Sequence, residues 1–437
     1  MAFMTLTEGI DWLYHQTVDH PRQGLDAMHQ ALAYFNNPHR NLPVIHITGT
    51  NGKGSTTAFL TQLLREHDQT TVAITSPHIM VFNERYQLNG QNIDDATLLE
   101  LINQVREYNE YCQQIKRPIL STYEIITLLG ILFAARIQPD VVLAEVGIGG
   151  LLDTTNVLDG QVAVITTIGL DHADKLGETL EEVAFQKAGI IKSSAHVVTG
   201  RIDSSPLKVI EEYAERQHAQ IYKMEDDFYV ASNIKTMEWN YTFKQWHFSN
   251  LPCSLLGYHQ FDNAAVALTS FITWMNRHNL EVKEEKIRHA LGHTYWMARM
   301  EKISEQPLIY LDGAHNEAGL ETLADTLSTY FPHKNVTILF AGLDTKNQQE
   351  HIQLLTKMHP EKVYLTTFGH PNAFTLEQFQ HVLNNEVEEF EYVYLTEDWQ
   401  KVVDDYISSQ GENKESLLLV TGSLYFVSDV RTYLVKK

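Results

Sequence analysis

Apolar residues in this chain fall into two alternating textures. Short runs rich in β-branched residues, Val44–Thr48, Thr71–Thr75, Val141–Val146 and Val162–Thr167, read as buried strands. Longer stretches of helical spacing follow several of them: Lys53–His67, Ile93–Ile115, Tyr123–Ile137 and Thr179–Ile191. Strands that are apolar throughout and interleaved with helices predict a parallel sheet covered on both faces. From Asp226 to Leu255 the pattern shifts to alternation, as in Trp239-Asn240-Tyr241-Thr242-Phe243, which predicts antiparallel, half-buried strands. A helix is expected over His259–Met275. A second strand–helix series then opens at Leu308–Leu311 and continues through Val336–Phe340, Lys362–Thr366 and Leu417–Thr421. The restart places a boundary near Trp296–Glu305, dividing the chain into two α/β domains, 1–295 and 296–437.

Composition narrows the class. A chain of 437 residues has room for more than one core, and 43% hydrophobic with 20% charged residues is a globular balance. The opening stretch lacks a basic segment leading into an apolar run, and no run approaches about eighteen apolar residues, so neither a secretory signal nor a membrane span is expected. Cys112 and Cys253 stand far apart outside any metal-like spacing and read as structural thiols in a reducing, cytoplasmic setting. The net charge of −22 argues against a nucleic-acid partner. It also means that any polyanion must be held by a local cluster of donors, because the bulk field opposes it.

The most informative stretch is Ile45-His46-Ile47-Thr48-Gly49-Thr50-Asn51-Gly52-Lys53-Gly54-Ser55-Thr56-Thr57. A strand ends in a glycine-rich turn and a helix begins at once, so backbone N–H groups and the helix dipole can wrap a phosphate. Lys53 can reach the β- and γ-phosphates of ATP, and the Ser55 hydroxyl can join a magnesium shell. The strict phosphate-loop pattern sets Ser or Thr directly after Lys; here Gly54 intervenes. The bland reading, a tight connection, leaves the lysine and hydroxyl unexplained.

Two further strand ends carry polar groups toward the crevice where ligands bind in such sheets. Glu145, before Gly147-Ile148-Gly149-Gly150, is a magnesium ligand or a solvated loop charge. His172, in Thr167-Ile168-Gly169-Leu170-Asp171-His172, is a second metal ligand or is bonded to backbone. Lys187 lies late in its helix, where most lysines are solvated, and the sequence alone does not single it out. In the second domain Asp312 suits a ribose hydroxyl or a basic partner, and His315 and Asn316 open a helix, where a simple cap and turn compete with an anion site. Arg299 suits a nucleotide phosphate or the bare surface.

Taken in order, these segments resemble the folylpolyglutamate synthase/dihydrofolate synthase family, a branch of the Mur ligase superfamily. The resemblance covers nearly the whole chain. It runs through Thr48–Ser55, Thr75-Ser76-Pro77-His78, Phe82-Asn83-Glu84-Arg85, Thr122-Tyr123-Glu124 and Glu145–Asn156. It continues through Ile165–His172, Lys187–Lys192, Leu256–Gln260, Asn263-Ala264-Ala265, Leu311–Asn316 and Thr421–Val427. The resemblance implies a phosphate-loop ATPase-type parallel-sheet domain followed by a smaller Rossmann-like one. By the same analogy Thr50, Asn51, Gly52, Lys53, Gly54, Ser55 and Thr56 bind ATP, joined by Arg299, Asp312 and His315. Two magnesium ions are implied, held by Ser55, Ser76, Glu145 and His172. Lys53, His172 and Lys187 are the implied catalytic residues, with Lys187 carbamylated. Arg85, Tyr123 and Lys346 match substrate-binding positions.

The chain departs from the family at Leu151, where Arg is frequent, and at Gln186, where Glu is frequent. It departs again at Thr345-Lys346-Asn347, where only the lysine of an Asp-Lys-Asp pattern is kept. The implied activity is ATP-dependent addition of L-glutamate, by γ-linkage, to a reduced folate through an acyl phosphate. Bifunctionality toward 7,8-dihydropteroate, a non-catalytic folate- or nucleotide-binding paralogue, a peptidoglycan-precursor ligase and a switch-type NTPase are the alternatives. Thr17–Gly24 is a candidate lip for the pterin, and a cytoplasmic monomer is expected.

Overall fold

The computed structural model describes residues 2–16, 24–233, 236–344, 346–385, 392–410 and 415–436. The expected lip at Thr17–Gly24, apart from Gly24, and the departure at Thr345 lie outside the described residues. The chain forms two compact units. One comprises Met1–Ser232, Glu238–Ser254 and Phe261–Thr294; the other comprises Asn233–Met237, Leu255–Gln260 and Tyr295–Lys437.

In the first unit, eight strands make one sheet: β1 (Val44–Thr48), β2 (Thr71–Ile74), β3 (Tyr86–Leu88), β4 (Gln91–Asn92), β5 (Val141–Glu145), β6 (Gly160–Ile165), β7 (His196–Thr199) and β8 (Gln220–Lys223). Their spatial order is β4-β3-β2-β5-β1-β6-β7-β8. The six strands from β2 to β8 in that order are parallel, and β3 and β4 turn back antiparallel at one edge. Every residue of β1, β2 and β5 is buried, as apolar strands covered by helices on both faces must be. The helix Thr122–Ile137 is buried continuously from Glu124 to Ala134. It sits so close to the sheet that a Cβ on Gly130 would lie 2.9 Å from Ile74 Cδ1.

The alternating segment forms a separate antiparallel sheet of β9 (Phe228–Asn233), β10 (Glu238–Phe243) and β11 (Trp246–Pro252). On β10, Trp239, Tyr241 and Phe243 are buried while Glu238 and Asn240 are exposed, so the period of two puts one face on the core. The Tyr241 hydroxyl meets Thr269 Oγ1 at 2.7 Å on the helix Tyr258–Arg277, which spans the stretch expected over His259–Met275.

The second unit holds β12 (Glu301–Glu305), β13 (Leu308–Leu311), β14 (Asn335–Phe340), β15 (Lys362–Thr366), β16 (Val393–Thr396) and β17 (Ser416–Thr421) in the order β12-β13-β17-β14-β15-β16. Only β12 is antiparallel. The two edge strands β12 and β16 were not among the predicted elements, because an edge strand needs no continuous apolar run. Element ends also shift. The helix predicted over Thr179–Ile191 closes at Ala188, since Gly189 lets the backbone of Leu151 approach: a Cβ there would stand 2.4 Å from Leu151 Cα. The strand predicted from Val162 begins at Gly160 and ends at Ile165.

A buried ion pair holds the start of the second unit. Glu301 opens β12 with its side chain 3% exposed, and Arg431 on the last helix reaches it at 2.9 Å. The same carboxylate accepts from Ala298 N at 3.0 Å and from the Tyr295 hydroxyl. Removing one partner of such a pair strands the other charge, so Glu301→Ala is expected to lower the stability of this unit by about 3 kcal/mol. Urea unfolding followed by tryptophan fluorescence measures it, and a loss below about 1 kcal/mol would show the pair to be dispensable.

Candidate active site

The sheet order brings four strand exits side by side: those of β2, β5, β1 and β6. Each carries chemistry. Ser76 follows β2, Glu145 closes β5, the glycine-rich loop follows β1, and Asp171 and His172 follow β6.

The loop after β1 is fixed by its neighbours before any ligand is considered. Thr50 N donates to Thr167 O at 3.0 Å, and Asn51 N donates to Thr167 Oγ1 at 3.0 Å. The Asn51 carbonyl accepts from Thr166 Oγ1 at 2.5 Å, and Thr48 Oγ1 donates to Gly149 O at 2.6 Å. Gly52 has φ of 88°, and a Cβ on it would fall 2.4 Å from Asn263 Oδ1, so only glycine fits. The helix Lys53–Glu66 starts directly after it with no side-chain cap, leaving its first N–H groups turned toward the loop. Lys53 Nζ donates to the carbonyls of Gly49 at 2.8 Å and Thr50 at 3.3 Å, which folds the ammonium over the loop. Gly54 adds no side chain there, while Ser55 and Thr56 are buried in the first turn.

Glu145 is 5% exposed, pairs in register with Ile47 of β1, and so lies beside the loop's entry. A Cβ on the nearby Gly147 would lie 3.9 Å from Ser76 Oγ, so the Ser76 turn reaches the same strand exit. The following turn folds around Asp153, a residue that lies within the Glu145–Asn156 segment and carries no local sign of a role. Its Oδ2 accepts from Ile148 N at 3.1 Å, and its Oδ1 from Thr155 N at 2.9 Å and Thr155 Oγ1 at 2.5 Å. Burial pushes this carboxyl upward, against the pull of those donors.

Lys187 is where the sequence was least informative and the structure most. It is 3% exposed, in the last turn of the helix Leu180–Ala188. Burial, then repulsion from Lys53, lowers its pKa to about 7, against the attraction of Asp171 and Asp153. A half-neutral amine inside a protein near neutral pH is a nucleophile, whereas a solvated lysine is not. Asp171 is the larger of its two counter-charges, and the only sequence signal for it is a carboxylate after a strand end. His172 itself is 45% exposed, with φ of 54°, and its Nε2 lies 4.0 Å from Asp171 Oδ2.

Among the described residues no group of three or more His, Cys, Asp or Glu side chains converges to hold a metal. Magnesium does not require such a cluster, since it binds through one or two carboxylates, waters and substrate phosphates. Glu145, Ser55 and Ser76 could supply hard oxygens to such an ion; the His172 imidazole is the poorest match in the set.

Arg85 is 8% exposed and donates from Nε to His78 Nδ1 at 2.9 Å, with its guanidinium over the Phe82 ring. Burial and the arginine lower the His78 pKa to about 4. Tyr123, at the head of the helix Thr122–Ile137, is 63% exposed. In the second unit Asp312 follows β13, and both its oxygens serve the backbone: Met300 N at 2.8 Å and Ala314 N at 2.9 Å. Burial raises its pKa against the attraction of Arg299, which donates to Ala298 O at 2.9 Å. His315 Nδ1 is 2.7 Å from Gly313 O, and His315 and Lys346 both act on buried His351, whose pKa falls to about 4 mainly through burial.

The departures have local accounts. Leu151 N donates to Gln186 O at 2.7 Å, a contact between backbones that neither side chain enters. Asn347 caps the helix Gln348–Lys357 by accepting from Glu350 N, a service aspartate would perform equally.

The Mur ligase middle domain family matches residues 47–271, and the Mur ligase glutamate ligase domain matches 298–424. The dihydrofolate synthase/folylpolyglutamate synthase of Bacillus subtilis is 33% identical over 98% of this chain and 99% of its own. The chain belongs to the folylpolyglutamate synthase/dihydrofolate synthase family of Mur ligases. The folylpolyglutamate synthase of Lacticaseibacillus casei is 31% identical over 99% of both chains. Among solved structures, Mycobacterium tuberculosis folylpolyglutamate synthase complexed with ADP aligns with a TM-score of 0.87 at 26% identity, covering 98% of each chain. A folylpolyglutamate synthase complex with AMPPCP and folate aligns at 0.85 and 29% identity, covering 99% of this chain and 100% of that one.

The desolvated lysine gives this family member a measurable signature. Lys187 has a folded value near 7 and an ordinary one of 10.5. Between these the unfolded chain holds the extra proton, so the Lys187 contribution makes stability rise with pH across that window. Lys187→Met is expected to flatten the rise in urea midpoints measured in carbon-dioxide-free buffer. An unchanged slope would mean that the amine is solvated.

Proposed function

We propose that the protein is a magnesium–ATP-dependent ligase that adds L-glutamate by γ-linkage to a reduced folate. The observation that carries this reading is the pairing of the phosphate loop with a second, buried lysine at the same sheet edge. A simple nucleotide hydrolase has no use for Lys187. The family's full-length match and the AMPPCP–folate complex of a relative supply the substrate class.

In the first step a carboxylate oxygen of the folate's terminal glutamate attacks the γ-phosphorus, the bond to the β–γ bridging oxygen breaks, and ADP leaves. In the second, the amine nitrogen of glutamate attacks the acyl carbon, phosphate departs and the nitrogen loses a proton. Thr50 to Thr56 cradle the phosphates, and Lys53 neutralises charge on the transferring group. Ser55 and Glu145, with Ser76 and His172, would hold magnesium, which would supply Lewis-acid stabilisation of the phosphoryl charge. The Lys187 amine can add to carbon dioxide and lose a proton, giving a carbamate; its burial and depressed basicity support this. Arg299, Asp312 and His315 of the segment 296–437 serve the nucleotide, and Arg85, Tyr123 and Lys346 the folate and glutamate. We take the protein to be a cytoplasmic monomer. No described helix is long and apolar enough to cross a membrane.

One observation favours a second activity: the Bacillus subtilis relative carries both the dihydrofolate synthase and folylpolyglutamate synthase names. There the attacking group would be the benzoate carboxylate of 7,8-dihydropteroate. ADP release with Mg–ATP and glutamate, with reduced folate in one reaction and 7,8-dihydropteroate in another, decides it. Turnover with folate is expected, and Lys53→Ala is expected to reduce it by about 100-fold or more. Turnover with both substrates establishes bifunctionality, and silence with both overturns the ligase reading.

A further inference from the structure

His46 is a polar residue where the fold asks for an apolar one. It sits in the middle of β1, between Ile45 and Ile47, and is 0% exposed. Burying an imidazole in a sheet core carries a desolvation cost that valine or leucine would avoid. Its Nδ1 has no hydrogen-bond partner, and such an atom in a core calls for an explanation.

The explanation lies on the other nitrogen. His46 Nε2 is 2.9 Å from Thr155 Oγ1, and Thr155, 4% exposed, is the residue that reaches Asp153. The direction of the chain is fixed by counting protons. An ionised carboxylate only accepts, and Thr155 has one hydroxyl proton, which it directs to Asp153 Oδ1 at 2.5 Å. Toward His46 the Thr155 oxygen must therefore accept, so His46 must carry its proton on Nε2. Burial, with Lys192 nearby, lowers the imidazole's pKa to about 3, so it stays neutral and Nδ1 is bare. A lone pair without a partner at Nδ1 is the lesser cost, since the other tautomer would strand an N–H and leave two acceptors facing each other.

We propose that His46 and Thr155 are positioning residues of the ligase, holding Asp153 and with it the turn between Glu145 and the Lys187 helix in working geometry. The turn has contacts on both sides. Its Ile148 N–H is bonded to Asp153, its Gly149 carbonyl to Thr48 at the mouth of the phosphate loop, and its Leu151 N–H to Gln186, next to Lys187. A carboxylate that swings loose releases the segment joining a candidate metal ligand to the buried lysine. This rests on the ligase reading, but it leaves a trace that needs no turnover.

Nitrogen-15 NMR of the wild-type protein is expected to show His46 protonated on Nε2 and unprotonated on Nδ1 throughout the neutral range. The opposite tautomer overturns the proposal whatever the enzyme does. In the ligase assay, His46→Leu and Thr155→Val are each expected to lower kcat by about 10- to 100-fold with little change in the KM for ATP. Thr155→Ser, which restores the hydroxyl, is expected to stay within about threefold of wild type. Because the two residues form one chain, the double variant is expected to be no worse than the poorer single variant. Multiplicative losses, a Thr155→Ser as poor as Thr155→Val, or full activity in either apolar variant overturns the proposal. Should His46→Leu fail to fold, the valine–serine comparison at the near-isosteric position 155 decides alone. Failure of the ligase reading is distinguishable, since it appears as silence of the wild-type protein with every substrate while the tautomer remains readable.

Discussion

A set of short hydrogen bonds ties the exit of β1 to the exits of β5 and β6, and the rest of the site depends on them. A glycine-rich loop is floppy by composition. Here the carbonyl of Thr167, the hydroxyls of Thr166 and Thr167 and the carbonyl of Gly149 hold Thr48, Thr50 and Asn51 in place. The ordering entropy is therefore met during folding, and the donors are already aimed when a phosphate arrives. That rigidity is available because the parallel strands are buried on both faces and cannot slide without exposing the core.

With the loop fixed, the chemistry becomes a matter of competing charges. A chain with net charge −22 has placed two lysines, Lys53 and Lys187, close enough to feel each other at the point where an anion must bind. Lys53 satisfies its ammonium on backbone carbonyls. Lys187, deeper, depends on Asp153 and Asp171, and those carboxylates only partly offset its burial. Two nearby lysines thus acquire different characters: one is hydrogen-bonded to the loop's carbonyls, the other is an amine whose basicity burial lowers to about 7.

Much of this was legible in the chain. The bounds of β1, β13 and β15 followed from their apolar runs alone, and the glycine-rich loop announced a phosphate site by its strand–turn–helix context. What was hidden depends on long-range packing. Nothing in the neighbourhood of Lys187 says that the turn at Gly150 and Leu151 will pack beside it, since the partners Leu151 and Gln186 stand 35 positions apart. Asp153 and Asp171 looked like ordinary loop acids. His46 was quoted within the phosphate-loop run and passed over, since a histidine flanked by isoleucines carries no local sign of its partner. The edge strands β12 and β16 were missed for a different reason, lacking the uninterrupted apolar run by which central strands are recognised.

The docking of Leu151 on Gln186 joins main chain to main chain, with Gly189 and Gly150 clearing the way. A geometry held in this fashion is indifferent to what the two side chains are. The leucine and glutamine found here therefore leave the course of the turn beside the lysine unchanged, because the bond that fixes it runs between Leu151 N and Gln186 O. The steric demand falls instead on Gly150 and Gly189, where an added Cβ would stand 2.7 Å from Gln186 O and 2.4 Å from Leu151 Cα and would push the turn off the lysine's helix.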